Sequence, residues 1–183
     1  RAAQFRRLGD VQIVPIRGNV PTRIAQVGQG GFDGVVLAAA GLRRLGLQPP
    51  NVIDLPVDRF VPAPAQGALA IQVREGDSTV TLIAVIEHNP SRRAVEAERS
   101  FLRYLHAGCH TPVGALASVS GSTITLHGQL FSDDGLRMVE GIETGDDPQP
   151  VGARLAERLA QKLHDRQSEP GAQATGQGSE PRP

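Results

Sequence analysis

Cys109 is the single thiol of the chain, and it sits in a polar stretch between Gly108 and His110. Arg103 and His106 lie within about two helical turns upstream, and cationic neighbours favour the thiolate, a soft nucleophile for electrophilic carbon. A lone cysteine can equally be a small buried hydrophobe. Arg17 and Arg23 flank a Gly18-Asn19 turn and the start of a helix. Two guanidiniums beside a helix N-terminus suit a carboxylate or phosphate, although solvated surface arginines look the same in sequence. Of Arg43-Arg44, one residue is expected on a solvated face and the other toward the same cleft; Arg6-Arg7 reads as solvated face. Gln66-Gly67, after Pro62 and Pro64, is a tight turn that exposes backbone amides. Glu96 and Glu98 are two apart on a helix, so they point to different faces and make a poor acid–base pair. The five histidines are scattered and there is no second Cys, so no metal site is expected. Walker A, dinucleotide-binding and nucleophile-elbow motifs are absent from the sequence.

The elements that must position these residues fall into two styles. Residues 2–8 read as a helix with Gly9 as its C-cap, Val11 to Ile16 as a strand, and Pro21 to Val27 as a second helix. Val35 to Leu37 reads as a buried strand, followed by a helix from Ala39 to Leu45. Such alternation implies a parallel α/β sheet, with ligands at the carboxyl ends of its strands. A Pro-rich crossover, 48–67, leads into Ala68 to Val73, a strand with too few neighbours in the chain to pair with. Asp77 to Glu87 has helical spacing, and Asn89-Pro90-Ser91 is expected to cap a long helix from Arg92 to Leu105, closed by Ala107-Gly108. Val113–Val119, Ser122–Phe131 and Leu136–Thr144 alternate as an antiparallel meander, with turns at Ser120-Gly121 and Asp133-Asp134-Gly135. Val151 to His164 is an amphipathic helix, and 167–183 has the composition of a disordered tail.

Composition narrows the classes. Nineteen basic and nineteen acidic residues sum to zero, yet the charge is partitioned. Residues 1–74 carry nine Arg against four Asp, a net +5, and the remainder carries −5. That asymmetry points to an anion held by the first half. No apolar run approaches the roughly 20 residues of a membrane span, and no signal peptide is visible. One cysteine fits a reducing compartment. The chain opens on Arg1, not Met, which suggests processing or a piece of a longer protein.

Several motifs in register resemble the porphobilinogen deaminase (hydroxymethylbilane synthase) family. Ile16-Arg17-Gly18-Asn19 with Thr22-Arg23, then Phe32-Asp33-Gly34 and Leu37 to Gly46, are similar to its second domain. Pro62 to Ile71 resembles the strand that returns to its first domain. Ala97-Glu98-Arg99 with Phe101-Leu102, Gly108-Cys109 and Pro112-Val113-Gly114-Ala115 resemble its cofactor-attachment segment. The resemblance implies a periplasmic-binding-protein-like α/β lobe, here partial, followed by a small α+β domain with a three-stranded antiparallel sheet. It divides the chain into 1–60, a returning strand at 61–76, a C-terminal domain at 77–166 and a tail at 167–183.

The same resemblance implies a function. Cys109 would carry a dipyrromethane cofactor by a thioether, with Arg1, Arg17 and Arg23 around it. Arg17, Arg23, Arg44 and Gln66 would bind porphobilinogen and the growing polypyrrole. Each added pyrrole brings an acetate and a propionate, which guanidiniums neutralise without titrating. Each unit would lose ammonia before joining the chain, and four additions followed by hydrolysis would release hydroxymethylbilane. The family's catalytic aspartate has no matching carboxylate here, so the chain alone is expected to be inactive. A cytoplasmic monomer with neither nucleic-acid nor membrane partner is expected. The sequence departs from the family at Ala107 and His110, around Cys109, and at Ala65, where the family typically has Gly. An anion-sensing lobe would explain the arginines but not Cys109 beside Pro112-Val113-Gly114. A nucleic-acid module is disfavoured by zero net charge, 3% aromatics and a single Lys.

Overall fold

A computed structural model describes residues 1–29, 31–106 and 111–168, with side chains to 166. The chain divides into two compact units, Arg1–Phe60 and Val61 onward. Among the described residues there are six helices and three strands.

The first unit holds helices α1 (Ala2–Arg6), α2 (Val20–Ala25) and α3 (Ala39–Arg44). Phe5 of α1 packs on Phe60, with ring centroids 5.1 Å apart. The Gly41 Cα approaches Val20 closely enough that a Cβ there would meet its Cγ2 at 3.7 Å, so α3 lies against α2. The expected strands at Val11–Ile16 and Val35–Leu37 form no ladder, and the described residues of this unit hold only an isolated bridge, Val27 to Phe32. Val11, Val14 and Val36 are exposed, so the expected burial of Val35–Leu37 is not realised either. The physical reason is local: a strand is held by hydrogen-bonded neighbours, and here the described residues supply none. Ala68–Val73 behaves alike, with Leu69 87% exposed.

The second unit contains α4 (Thr79–Ala84), α5 (Asn89–Tyr104), the meander β1 (Val113–Ser120), β2 (Thr123–Phe131) and β3 (Met138–Gly145), and α6 (Pro148–Ser168). The sheet order is β1-β2-β3, antiparallel throughout. A two-residue turn, Gly121-Ser122, joins β1 to β2, with Gly121 at φ +58° as such hairpin turns require. The longer β2–β3 connection is tied by Ser132, whose N–H donates to the Arg137 carbonyl at 3.0 Å. Because of it β3 starts at Met138 rather than Leu136, which is exposed.

Alternation in β2 puts Ile124, Leu126 and Leu130 on one face, and α5 and α6 cover that face. Ala97 and Phe101 of α5 meet Val151, Leu155, Ala156, Leu159 and Leu163 of α6, spaced by three and four residues as a helix stripe requires. Gly128 leaves room for this contact: a Cβ would lie 2.9 Å from Leu155 Cδ2 and 3.0 Å from Phe101 Cζ. The cap of α5 differs from expectation. His88 is the N-cap, its Nδ1 accepting from the Ser91 amide, while Asn89 and Pro90 are already helical. Pro suits that first turn because no partner for its missing N–H is needed. Helix α6 is longer than expected at both ends and includes residues 167–168, which composition had assigned to the tail. The rest of the expected tail lies outside the described residues.

Candidate functional site

Arg17, Arg23 and Arg44 all belong to the first unit, and the structure ties the Arg23 side chain to the turn that follows Arg17. Gly18 sits at φ +109°, and a Cβ there would press within 3.1 Å of Thr22 Cγ2, so the turn between Arg17 and α2 needs glycine. Asn19 caps α2, its Oδ1 accepting from the Thr22 amide at 2.9 Å and the Thr22 hydroxyl at 2.7 Å. The Arg23 Nε donates to the Gly18 carbonyl at 2.8 Å. The Arg23 side chain is thereby tied to the loop that carries Arg17. Arg44 is exposed in the last turn of α3, the helix that packs on α2. Arg1 is the exposed N-cap of α1.

One part of the expectation changes. The helix start beside Arg17 offers few amides to an anion, since α2 has six residues and Asn19 already takes the Thr22 N–H. The guanidiniums themselves carry the positive charge there. Guanidiniums beside a preformed loop suit carboxylates, because each can take a carboxylate bidentately.

Gln66 belongs to the second unit, in a pair of successive turns. The Gln66 amide donates to the Ala63 carbonyl at 3.0 Å and the Ala68 amide to the Ala65 carbonyl at 3.2 Å. The third residues of these turns, Ala65 and Gly67, have φ of +61° and +90°. Pro64 followed by a left-handed residue is the type II pattern, which favours Gly at that third place. Ala in that conformation costs about 1 kcal/mol. Something must hold it, and sequence reasoning missed what does. Glu98 of α5 is buried, with Oε2 accepting from the Ala65 amide at 2.6 Å and Oε1 from the Ala117 amide at 2.8 Å. Burial pushes the Glu98 carboxyl above its ordinary value, and the Ala117 and Ala65 amides only partly offset that. A companion bond runs from the Ala115 amide to the Pro62 carbonyl at 2.8 Å. Residues 61–65 and Glu98 together therefore occupy amides along the outer edge of β1, which among the described residues has no strand beyond it in the sheet. Val61 runs so close that a Cβ on Gly114 would come within 2.8 Å of its carbonyl oxygen. The spacing rule that separated Glu96 from Glu98 was right about faces. What it lacked was any signal that the Glu98 face is buried.

Helix α5 ends at Tyr104 with Leu105 as C-cap, and His106 adopts a left-handed φ of +48°, so the helix closes before the expected Ala107-Gly108. Arg103 donates to Gln149 Oε1 of α6 at 2.6 Å, which commits one of its nitrogens. Cys109 and its neighbours Ala107, Gly108 and His110 lie outside the described residues. Among the described residues no cluster of three or more His, Cys, Asp or Glu could hold a metal, and no helix is long and apolar enough to cross a membrane.

An arginine-bearing unit of short helices, followed by a meander packed on two helices, defines a mixed α/β protein with a three-stranded antiparallel sheet. Two family models match the chain in order. Residues 1–82 match "Porphobilinogen deaminase, dipyromethane cofactor binding domain", and residues 92–161 match "Porphobilinogen deaminase, C-terminal domain". The chain belongs to the porphobilinogen deaminase family. It is 45% identical over 163 residues to a porphobilinogen deaminase of Rubrobacter xylanophilus, covering 88% of this chain and 53% of that protein. It is 44% identical to one of Brevibacillus brevis, covering 82% and 49%, and 42% identical to one of Alkaliphilus metalliredigens, covering 88% and 52%. The chain thus spans about half the length of the curated relatives it matches.

Proposed function

We propose that this chain forms part of a transferase of tetrapyrrole biosynthesis, which joins four porphobilinogen units into hydroxymethylbilane with release of ammonia. The observation that carries this reading is the ordered pair of family matches over residues 1–82 and 92–161. Cys109 is the residue to which a dipyrromethane is joined by a thioether, and that group, when bound, supplies the ring from which the polypyrrole grows. The donor set suits such a group: Arg17, Arg23 and Arg44 offer planar guanidiniums that pair bidentately with carboxylates, and the Arg23 side chain is tied to the turn that follows Arg17. Arg1, Arg17 and Arg23 bind the carboxylates of the cofactor. Arg17, Arg23, Arg44 and Gln66 bind those of substrate and growing chain. No carboxylate of this chain is assigned the proton transfer to the departing amine, so residues 1–183 alone do not sustain the reaction.

The exposed apolar runs at Val11–Ile16 and Val35–Leu37 support a periplasmic-binding-like lobe, and the one at Ala68–Val73 supports a strand that returns to a further domain, each pairing with strands from outside residues 1–183. In that reading 1–60 belongs to the lobe, 61–76 returns to a further domain, 77–166 carries the cofactor and 167–183 is a tail. The protein acts as a monomer in the cytoplasm.

Intact-mass measurement on protein made from the complete gene is the test. The mass of one dipyrromethane, lost in Cys109→Ser together with porphobilinogen consumption, is the expected result. A bare thiol in active protein would sink the assignment of Cys109, and absence of porphobilinogen consumption would sink the reaction. Sustained tetrapyrrole formation by residues 1–183 alone would refute their inactivity.

A further inference from the structure

A carboxylate buried in a helix–sheet corner is costly, and packing alone would be served better by an apolar side chain of the same shape. Glu98 is 5% exposed, and among the described residues no ion pair includes it. Its two oxygens each take a different amide, Ala65 in the double turn and Ala117 in β1. The identity of the first amide matters. Type I and type II turns differ mainly by a half-rotation of the central peptide, and in the turn Ala63–Gln66 that peptide joins Pro64 to Ala65. Its N–H is the one that Glu98 accepts. With Ala, not Gly, in the third place, the type I form is the less strained alternative, and it would aim this N–H away from the carboxylate.

We propose that Glu98 is a positioning residue, whose carboxylate selects the type II form of the Ala63–Gln66 turn and so sets where the Gln66 side chain stands. The consequence for substrate rests on the reading of Gln66 given above; the consequence for the turn does not. The bond from the Ala115 amide to the Pro62 carbonyl keeps the start of the segment on β1 in either form, which leaves the central peptide as the part that Glu98 governs.

The test uses Glu98→Met, which keeps the length of the side chain and removes both acceptors. In the isotope-labelled chain, the nuclear Overhauser effect from Pro64 Hα to the Ala65 amide is strong in type II and weak in type I. It is expected to be strong in the native chain, weak in E98M, and strong again in E98M/A65G, because Gly favours the left-handed place. A merely structural glutamate would not be rescued by a glycine at 65. If E98M does not fold, E98Q gives the same readout, since one acceptor oxygen must serve two amides. A strong effect retained in the Glu98 variants overturns the proposal. In protein from the complete gene, KM for porphobilinogen is expected to rise roughly fivefold in E98M, with kcat little changed, and to recover in E98M/A65G. A turn that flips with KM unmoved leaves the selection of the turn standing and overturns the substrate role of Gln66.

Discussion

Gly152 of α6 lies against Phe101 of α5 so closely that a Cβ at 152 would be 2.6 Å from the Phe101 amide nitrogen. The same carbon would be 2.5 Å from Ser100 Cβ and would also strike the Ala97 carbonyl. Both helices contribute their smallest residues here, which lets Phe101 and Leu155 bury fully against the sheet. The Ser100 hydroxyl, donating to the Gln149 carbonyl at 2.7 Å, fixes the register of the crossing.

Gly152→Ala is therefore expected to destabilise the second unit by about 3 kcal/mol, because the obstacles are backbone atoms that cannot rotate away. Denaturant unfolding measures this. A loss below roughly 1 kcal/mol would mean that the helices separate more freely than close packing allows.

Arg93 joins two chain reversals to the start of α5. Its guanidinium donates to the carbonyls of Gly121, Ser122 and Asp146, at 3.3, 2.7 and 2.7 Å. These acceptors come from the β1–β2 turn and the β3–α6 connection. Arg93→Ala should cost about 1–3 kcal/mol. Arg93→Lys should recover little, since a point charge cannot address three separated carbonyls as a planar fork does. Full recovery by Lys in thermal unfolding would show that charge, not geometry, is what matters.

Glu143 of β3 accepts from Arg154 at 3.0 Å and from Arg158 at 2.6 Å, both on α6. Burial pushes its carboxyl up, but the two guanidiniums together pull it further down, leaving it below its ordinary value. A depressed carboxyl contributes stability that is complete above the ordinary glutamate value and is lost as pH falls through the lowered one. Glu143→Gln should remove that portion of the acid-side loss and lower stability at neutral pH. Added salt should weaken the native pairs, because both arginines are exposed. Stability–pH curves of the two proteins that stay parallel below neutrality would refute this.

The second unit was largely legible from local pattern. Alternation in Val113–Val119 and Ser122–Phe131 survives as β1 and β2 because each strand finds its partner across a two-residue turn. The apolar stripe of Val151, Leu155, Leu159 and Leu163 survives as α6 because the sheet it must cover is next to it in the chain. Val11–Ile16, Val35–Leu37 and Ala68–Val73 carry equally apolar patterns and form no ladder among the described residues. An apolar run states what a segment could bury; it does not state that a partner is present.

The candidate site divides along the same line. Arginine type and spacing near Gly18-Asn19 were readable, since a turn, a cap and a guanidinium act over a few residues. Glu98 was readable as a residue on a helix, but its task was not. Its partners lie 33 and 19 residues away, in a turn and on a strand edge. Short-range chemistry is written in neighbouring letters, whereas burial and long-range hydrogen bonds exist only once the chain has brought distant amides to the same carboxylate.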